Sequence, residues 1–180
     1  LIDREHHLAA LYNFKNVPEA AWIDDQGRMV RPPETAGAYE SFRFIDPATK
    51  APAPEAAAKK ESARKLYLEA LADWVRNGAE SRYAMAADTA RSHVAKPTAA
   101  EASAHAHFRL GAHLLGLGRA AEAERHMAEA SRLHPESWAI WRQAAPKNET
   151  GLAADESFWR RVAALGEKRY YPPPPMDGMT

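Results

Sequence analysis

Between Ala104 and Pro135, small and large apolar residues recur at a spacing that fits two antiparallel helices packed at short range. In order, the marks are Leu110-Gly111, Leu114, Gly118, Ala123, Ala130 and Pro135. Gly111 and Ala123 lack the bulk that would hold the helices apart, while Leu114 and Met127 fill the space around that contact. Gly118 supplies the turn and Pro135 stops the second helix. A hairpin of this kind cannot bury its apolar faces alone, so the pattern calls for helical neighbours.

Helical periodicity continues over 59–77, 81–94, 98–116, 120–133, 136–145 and 155–168. Thr98-Ala99-Ala100-Glu101, just after Pro97, reads as a capping box, and Asp155 stands where an N-cap of the last helix belongs. Trp138 and Trp141 restart a helix after Pro135, whereas Tyr67, Trp74, Gly78 and Ala90 fit the hairpin template loosely. The marks resemble a tetratricopeptide repeat, here one clear copy between two degenerate ones. The resemblance implies a binding or spacing module, with His105, Phe108, Arg109, Ala112 and Leu115 of the first helix facing its concave groove. Phe108 and Leu115 suit an apolar or helical protein or peptide ligand, and Arg109 alone is no clamp for an acidic C-terminus. The chain's own last helix or tail is the competing occupant of that groove.

Upstream, Leu1-Ile2-Asp3 reads as the end of a strand running into a short helix that Asp3 caps and that reaches Tyr12. Asn13 to Asn16 is a connection. Ala20-Ala21-Trp22-Ile23, Asp24-Asp25-Gln26-Gly27 and Arg28-Met29-Val30-Arg31 predict a β-hairpin with Gly27 at the positive-φ position, and Pro32-Pro33 is expected to end its second strand. The run Asn16 to Val30 resembles the second half of a thioredoxin-like domain of the TlpA/ResA and AhpC/TSA type. There a short helix leads to a cis-proline, a strand ending in Ile-Asp, a glycine turn and a returning strand. Leu8 to Phe14 resembles the helix and its approach, so the resemblance covers residues 1–32. It implies that Val17 offers its backbone to an extended substrate and that Pro18 is the cis-proline beside a redox cysteine.

That cysteine belongs to an earlier helix of the family, and this chain has none. Since the thiolate is the attacking species, no residue here can carry the redox step. The resemblance therefore implies part of a thiol-disulfide oxidoreductase or peroxidase, inactive alone; Leu1 in place of methionine and the strand-like Leu1-Ile2-Asp3 point to a cut from a longer open reading frame, a processed or engineered chain being the alternative. The alternative is a non-catalytic helical adaptor whose opening hairpin is a cap.

Charge and composition narrow the partners. The 180 residues carry 24 Lys+Arg against 24 Asp+Glu, a formal net charge of +0, which gives no electrostatic grip on nucleic acid or anionic lipid. No apolar run approaches the roughly 20 residues of a membrane span, so a soluble chain is expected. The compartment is not set by the sequence, which leans only to the cytoplasm. The 8 histidines include no pair at i, i+4 spacing and no HExxH pattern, so neither metal nor cofactor is expected. His107 reads as packed and His6-His7 as exposed. Trp138, Trp141, Phe158 and Trp159 read as core.

The expected architecture is mainly α: tetratricopeptide-like helix hairpins preceded by a partial thioredoxin-like α/β segment with a β-hairpin. The latter occupies 1–45, a Pro/Ala-rich linker 46–58, the helical repeats 59–169 and a Pro-rich tail 170–180. Tyr170-Tyr171 and the four prolines after them favour polyproline II, docked on the chain's own helices or disordered.

Overall fold

The computed structural model describes residue 3 and residues 6–46, 48–49, 51–94 and 96–179. The strand expected at Leu1-Ile2 lies outside the described residues. In chain order the elements are α1 (His7–Leu11), β1 (Glu19–Ile23), β2 (Met29–Thr35), α2 (Pro54–Asn77), α3 (Ala87–His93), α4 (Ala99–Gly116), α5 (Ala120–Leu133), α6 (Trp138–Ala144) and α7 (Glu156–Ala163). The chain is mainly helical with a two-stranded antiparallel sheet. It divides into two compact units, Leu1–Val17 with Ala95–Arg161 and Pro18–Val94 with Val162–Thr180.

In the first unit, the Asp3 carboxylate accepts the N–H groups of His7 at 2.8 Å and Ala9 at 3.1 Å, which satisfies donors at the start of α1. Thr98 and Glu101 close their capping box on α4: Glu101 N–H donates to Thr98 Oγ1 at 3.2 Å and Thr98 N–H donates to Glu101 Oε2 at 2.7 Å. The chain turns at Gly118, with φ 75°, into α5. A Cβ on Gly111 would stand 3.0 Å from Met127 Cγ and 3.2 Å from the Ala123 carbonyl oxygen. The two helices therefore approach closely where the side chain is missing, and Ala123 beside that point is buried. Phe108, Met127, Ala104, Ala130 and Ile140 form one apolar core. Ser137 Oγ caps α6 by accepting the Ile140 N–H at 3.2 Å, and Asp155 Oδ1 takes the Phe158 N–H at 3.2 Å. Trp138 and Phe158 are buried, but Trp159, expected in the core, is 46% exposed.

The second unit is built on Trp22. Glu19 pairs with Thr35, Ala20 with Glu34, Trp22 with Arg31 and Ile23 with Met29. Strand β2 runs through Pro32-Pro33 to Thr35 instead of ending before them. The register slips between Ala20 and Trp22, and the prolines occupy that bulge, where no ladder N–H is required. At the turn, Gly27 has φ 75° and Asp24 Oδ1 accepts the N–H groups of Gln26 at 3.0 Å and Arg28 at 2.8 Å. Trp22 is buried against Tyr67, Ala70 and Trp74 of α2, and its Nε1–H donates to Tyr67 Oη at 2.8 Å.

Several boundaries move. Helix α2 begins at Pro54, inside the stretch 46–58 read as a linker, because proline is well tolerated in the first turn and the alanines that follow are strong helix formers. Ala56 and Ala63 are buried on it, with Tyr39. The helix expected over 81–94 is confined to Ala87–His93. Ser81 is buried and donates to Asp73 Oδ2 at 2.6 Å, and Met85 N–H donates to the Val30 carbonyl at 3.1 Å, which holds this stretch in turns. Helix α7 stops at Ala163 rather than 168, with Gly166 at φ 56°.

The Pro-rich tail is docked within this unit. Tyr170 is 2% exposed and its N–H donates to Glu40, itself 2% exposed. Arg43 donates to the carbonyls of Lys168 at 3.0 Å and Gly166 at 2.9 Å. Met176 and Met179 pack against the Trp22 cluster. Arg31, also 2% exposed, holds Glu34 through two bonds of 2.8 and 2.9 Å and donates to the carbonyls of Tyr83 at 2.8 Å and Pro175 at 3.3 Å. Its guanidinium lies 5.4 Å from the Trp22 ring centroid.

Two substitutions test these contacts. Ala123→Leu overfills the α4–α5 contact and is expected to cost roughly 1–3 kcal/mol in urea unfolding, whereas the same change in volume at exposed Ala112 stays within about 0.5 kcal/mol. Arg31→Met strands the buried Glu34 carboxylate and is expected to cost about 3–5 kcal/mol by the same measurement.

Candidate functional site

The two site predictions fall in different places. Val17 is 73% exposed and donates its N–H to Asn16 Oδ1 at 2.9 Å. Pro18 is exposed too, and its carbonyl accepts the Ala36 N–H at 3.1 Å. The division between the two compact units falls between these residues.

On α4, Arg109, Ala112 and Leu115 are exposed, as a groove face requires. Phe108 is not part of such a face: it is 4% exposed and belongs to the core with Met127, Ala130 and Ile140. His105 is half-buried. Together with His6, Phe14, Phe108, Ser137 and Ile140 it lines a small, mainly apolar pocket. His6, expected to be exposed, is half-buried with its ring edge-on to Phe108 at 5.2 Å.

Behind His105 stands His134, 2% exposed, with the two ring centroids 5.9 Å apart. Glu101 Oε1 lies 3.8 Å from His134 Nε2 and 3.5 Å from Lys15 Nζ, and Lys15 also reaches Glu136 at 4.0 Å. The Nε2 atoms of both histidines are buried without a hydrogen-bond partner among the described residues. Burial pulls the pKa of His105 below its ordinary value, the Arg109 charge adds to this, and Glu101 opposes it. Burial likewise lowers that of His134, with Lys15 and His105 acting in the same sense and Glu101 and Glu136 against it. Burial therefore favours the neutral form of both imidazoles. Sequence reading missed His134, Lys15 and Glu136, which follow or precede helices and carry no periodic signal. His134 next to Pro135, at a helix end, was the visible clue.

A second pair lies across the hairpin. His107 Nδ1 and His126 Nδ1 are 2.9 Å apart, with ring planes tilted by 36°. Both rings are half-buried, as expected for His107. Helical spacing within one helix could not reveal a partnership between α4 and α5.

Among the described residues, no group of three or more His, Cys, Asp or Glu has metal-holding geometry, and no helix is long and apolar enough to cross a membrane. No protein family matches the chain, and neither the curated proteins nor the solved structures contain a match to it.

The neutral histidines give a pH dependence. Unfolded, each titrates near the ordinary value of 6.5; folded, each binds its proton only at lower pH. The unfolded state thus takes up protons first as pH falls, so stability is full above about pH 6.5 and declines below it. Urea midpoints between pH 8 and pH 5.5 are expected to fall on the acid side, and a His105→Gln/His134→Gln double variant is expected to flatten that limb.

Proposed function

We propose that this chain is the C-terminal part of a thioredoxin-like thiol-disulfide redox protein, with a tetratricopeptide-like extension that docks a protein partner or spaces domains. The observation that carries the reading is the run of elements from α1 through Val17-Pro18 to β1, ending at Ile23-Asp24, then Gly27 at φ 75° and β2. This is the order of helix, proline, strand, glycine turn and returning strand of the resembled family. Val17 and Pro18 are each exposed, in keeping with the substrate-binding roles that the resemblance gives them. The sulfur chemistry belongs to residues outside this chain, since it contains no cysteine.

A second reading, a non-catalytic adaptor, is favoured by one further observation. Leu110, Leu115 and Leu117, on and just after the C-terminal half of α4, are 44%, 60% and 59% exposed, beside Arg109 and Ala112. Such a surface suits an apolar or helical peptide.

Expressing the chain with its upstream coding sequence separates the two. Insulin reduction or peroxide consumption by the extended protein, absent from the chain alone, is expected for the redox reading. Upstream helical repeats with no turnover overturn it in favour of the adaptor.

A further inference from the structure

The contact between His107 and His126 has a chemistry that neither reading uses. Two Nδ1 atoms at 2.9 Å can share one proton, one ring donating and the other accepting. Two imidazole nitrogens brought together from two helices can also serve a cation, each lone pair then turning from the other nitrogen toward the ion. Zinc–imidazole bonds are about 2.0–2.1 Å long, and two such ligands on a tetrahedral ion stand on the order of 3.3 Å apart. The nitrogens therefore need to separate by a few tenths of an ångström, with each ring turning so that its lone pair meets the ion.

Two ion-paired carboxylates stand near the pair. On α5, Glu122 and Glu129 flank His126 by about one turn on either side, with Glu122 within electrostatic range of His126 and Glu129 within range of His107. Each carboxylate is held by a neighbouring arginine, Arg119 for Glu122 and Arg132 for Glu129. The two helices are also fixed at close range by the bare Cα of Gly111, one turn beyond His107, so the rings converge on a rigid frame.

We infer that His107 and His126 form a cross-helix site for a borderline-soft divalent cation of the zinc class, which replaces the proton shared between their Nδ1 atoms. At neutral pH the donor ring moves that proton to Nε2, so both imidazoles bind through Nδ1 as neutral ligands. Since no third protein ligand is in place among the described residues, water fills the remaining positions. Ligation needs unprotonated imidazole, so acid releases the ion.

Zinc chloride titrated into the full chain, followed by calorimetry and by histidine ring NMR signals, tests the site. The expected result is one ion per chain, shifts concentrated on His107 and His126, and at least a tenfold loss of affinity in His107→Gln and in His126→Gln. Circular dichroism of both variants checks that they remain folded, and His7→Gln, away from the hairpin, is expected to leave the affinity unchanged. Affinity that survives both hairpin variants, or that follows His7, overturns the proposal, as does the absence of any saturable zinc binding.

Discussion

A guanidinium taken almost wholly out of water needs partners for its donors, and at Arg31 three different parts of the second unit supply them. Glu34 takes two bonds from the same strand, the Tyr83 carbonyl comes from the turns after α2, the Pro175 carbonyl from the tail, and the Trp22 ring lies nearby. An unpaired buried charge costs several kcal/mol, so these segments cannot drift apart independently. Burial pushes the Glu34 carboxyl upward while Arg31 opposes it, which ties the two charges to one another. Around this node the apolar contacts of Trp22 with Tyr67, Ala70 and Trp74 have a fixed place to form.

The first unit depends on an absence rather than on a charge. At Gly111 the missing side chain lets α5 approach, and Ala123, Met127 and Leu114 then close the gap. This was legible in the sequence because the device is local: small residues at fixed spacing, a glycine turn at Gly118 and capping signals at Thr98. The bounds of α4 and α5 follow the expected ones closely for that reason. Where local signals were ambiguous, tertiary contacts decided. Pro32-Pro33 would end an isolated strand, yet a bulge accommodates them. The alanines after Pro54 could belong to a linker, yet the burial of Ala56 and Ala63 with Tyr39 favours the helix.

The candidate sites were less legible than the fold, and the histidines show why. His107 and His126 are 19 residues apart and meet only after the hairpin has closed. His105 was singled out for a groove but turns toward His134, which lies beyond the end of α5 and follows no helical period. Phe108 failed as a groove residue because an aromatic ring at that position gains more from the core between α4, α5 and α6 than from solvent. Val17 and Pro18 are exposed, as a substrate platform would need, but exposure alone names no substrate.

The second unit is discontinuous in the chain: the helices from α4 to α6 lie between Val94 and Val162. The bond from Arg31 to Pro175 spans 144 residues and that from Tyr170 to Glu40 spans 130. Closing such long loops is slow compared with zipping neighbouring helices together. During synthesis the α4–α5 hairpin can therefore form while Trp22, Arg31 and Glu40 still wait for their partners. The β1–β2 hairpin and α2 remain an unfinished half-domain until Tyr170 to Met179 have left the ribosome, and over that interval their apolar surface is open to aggregation or to a chaperone.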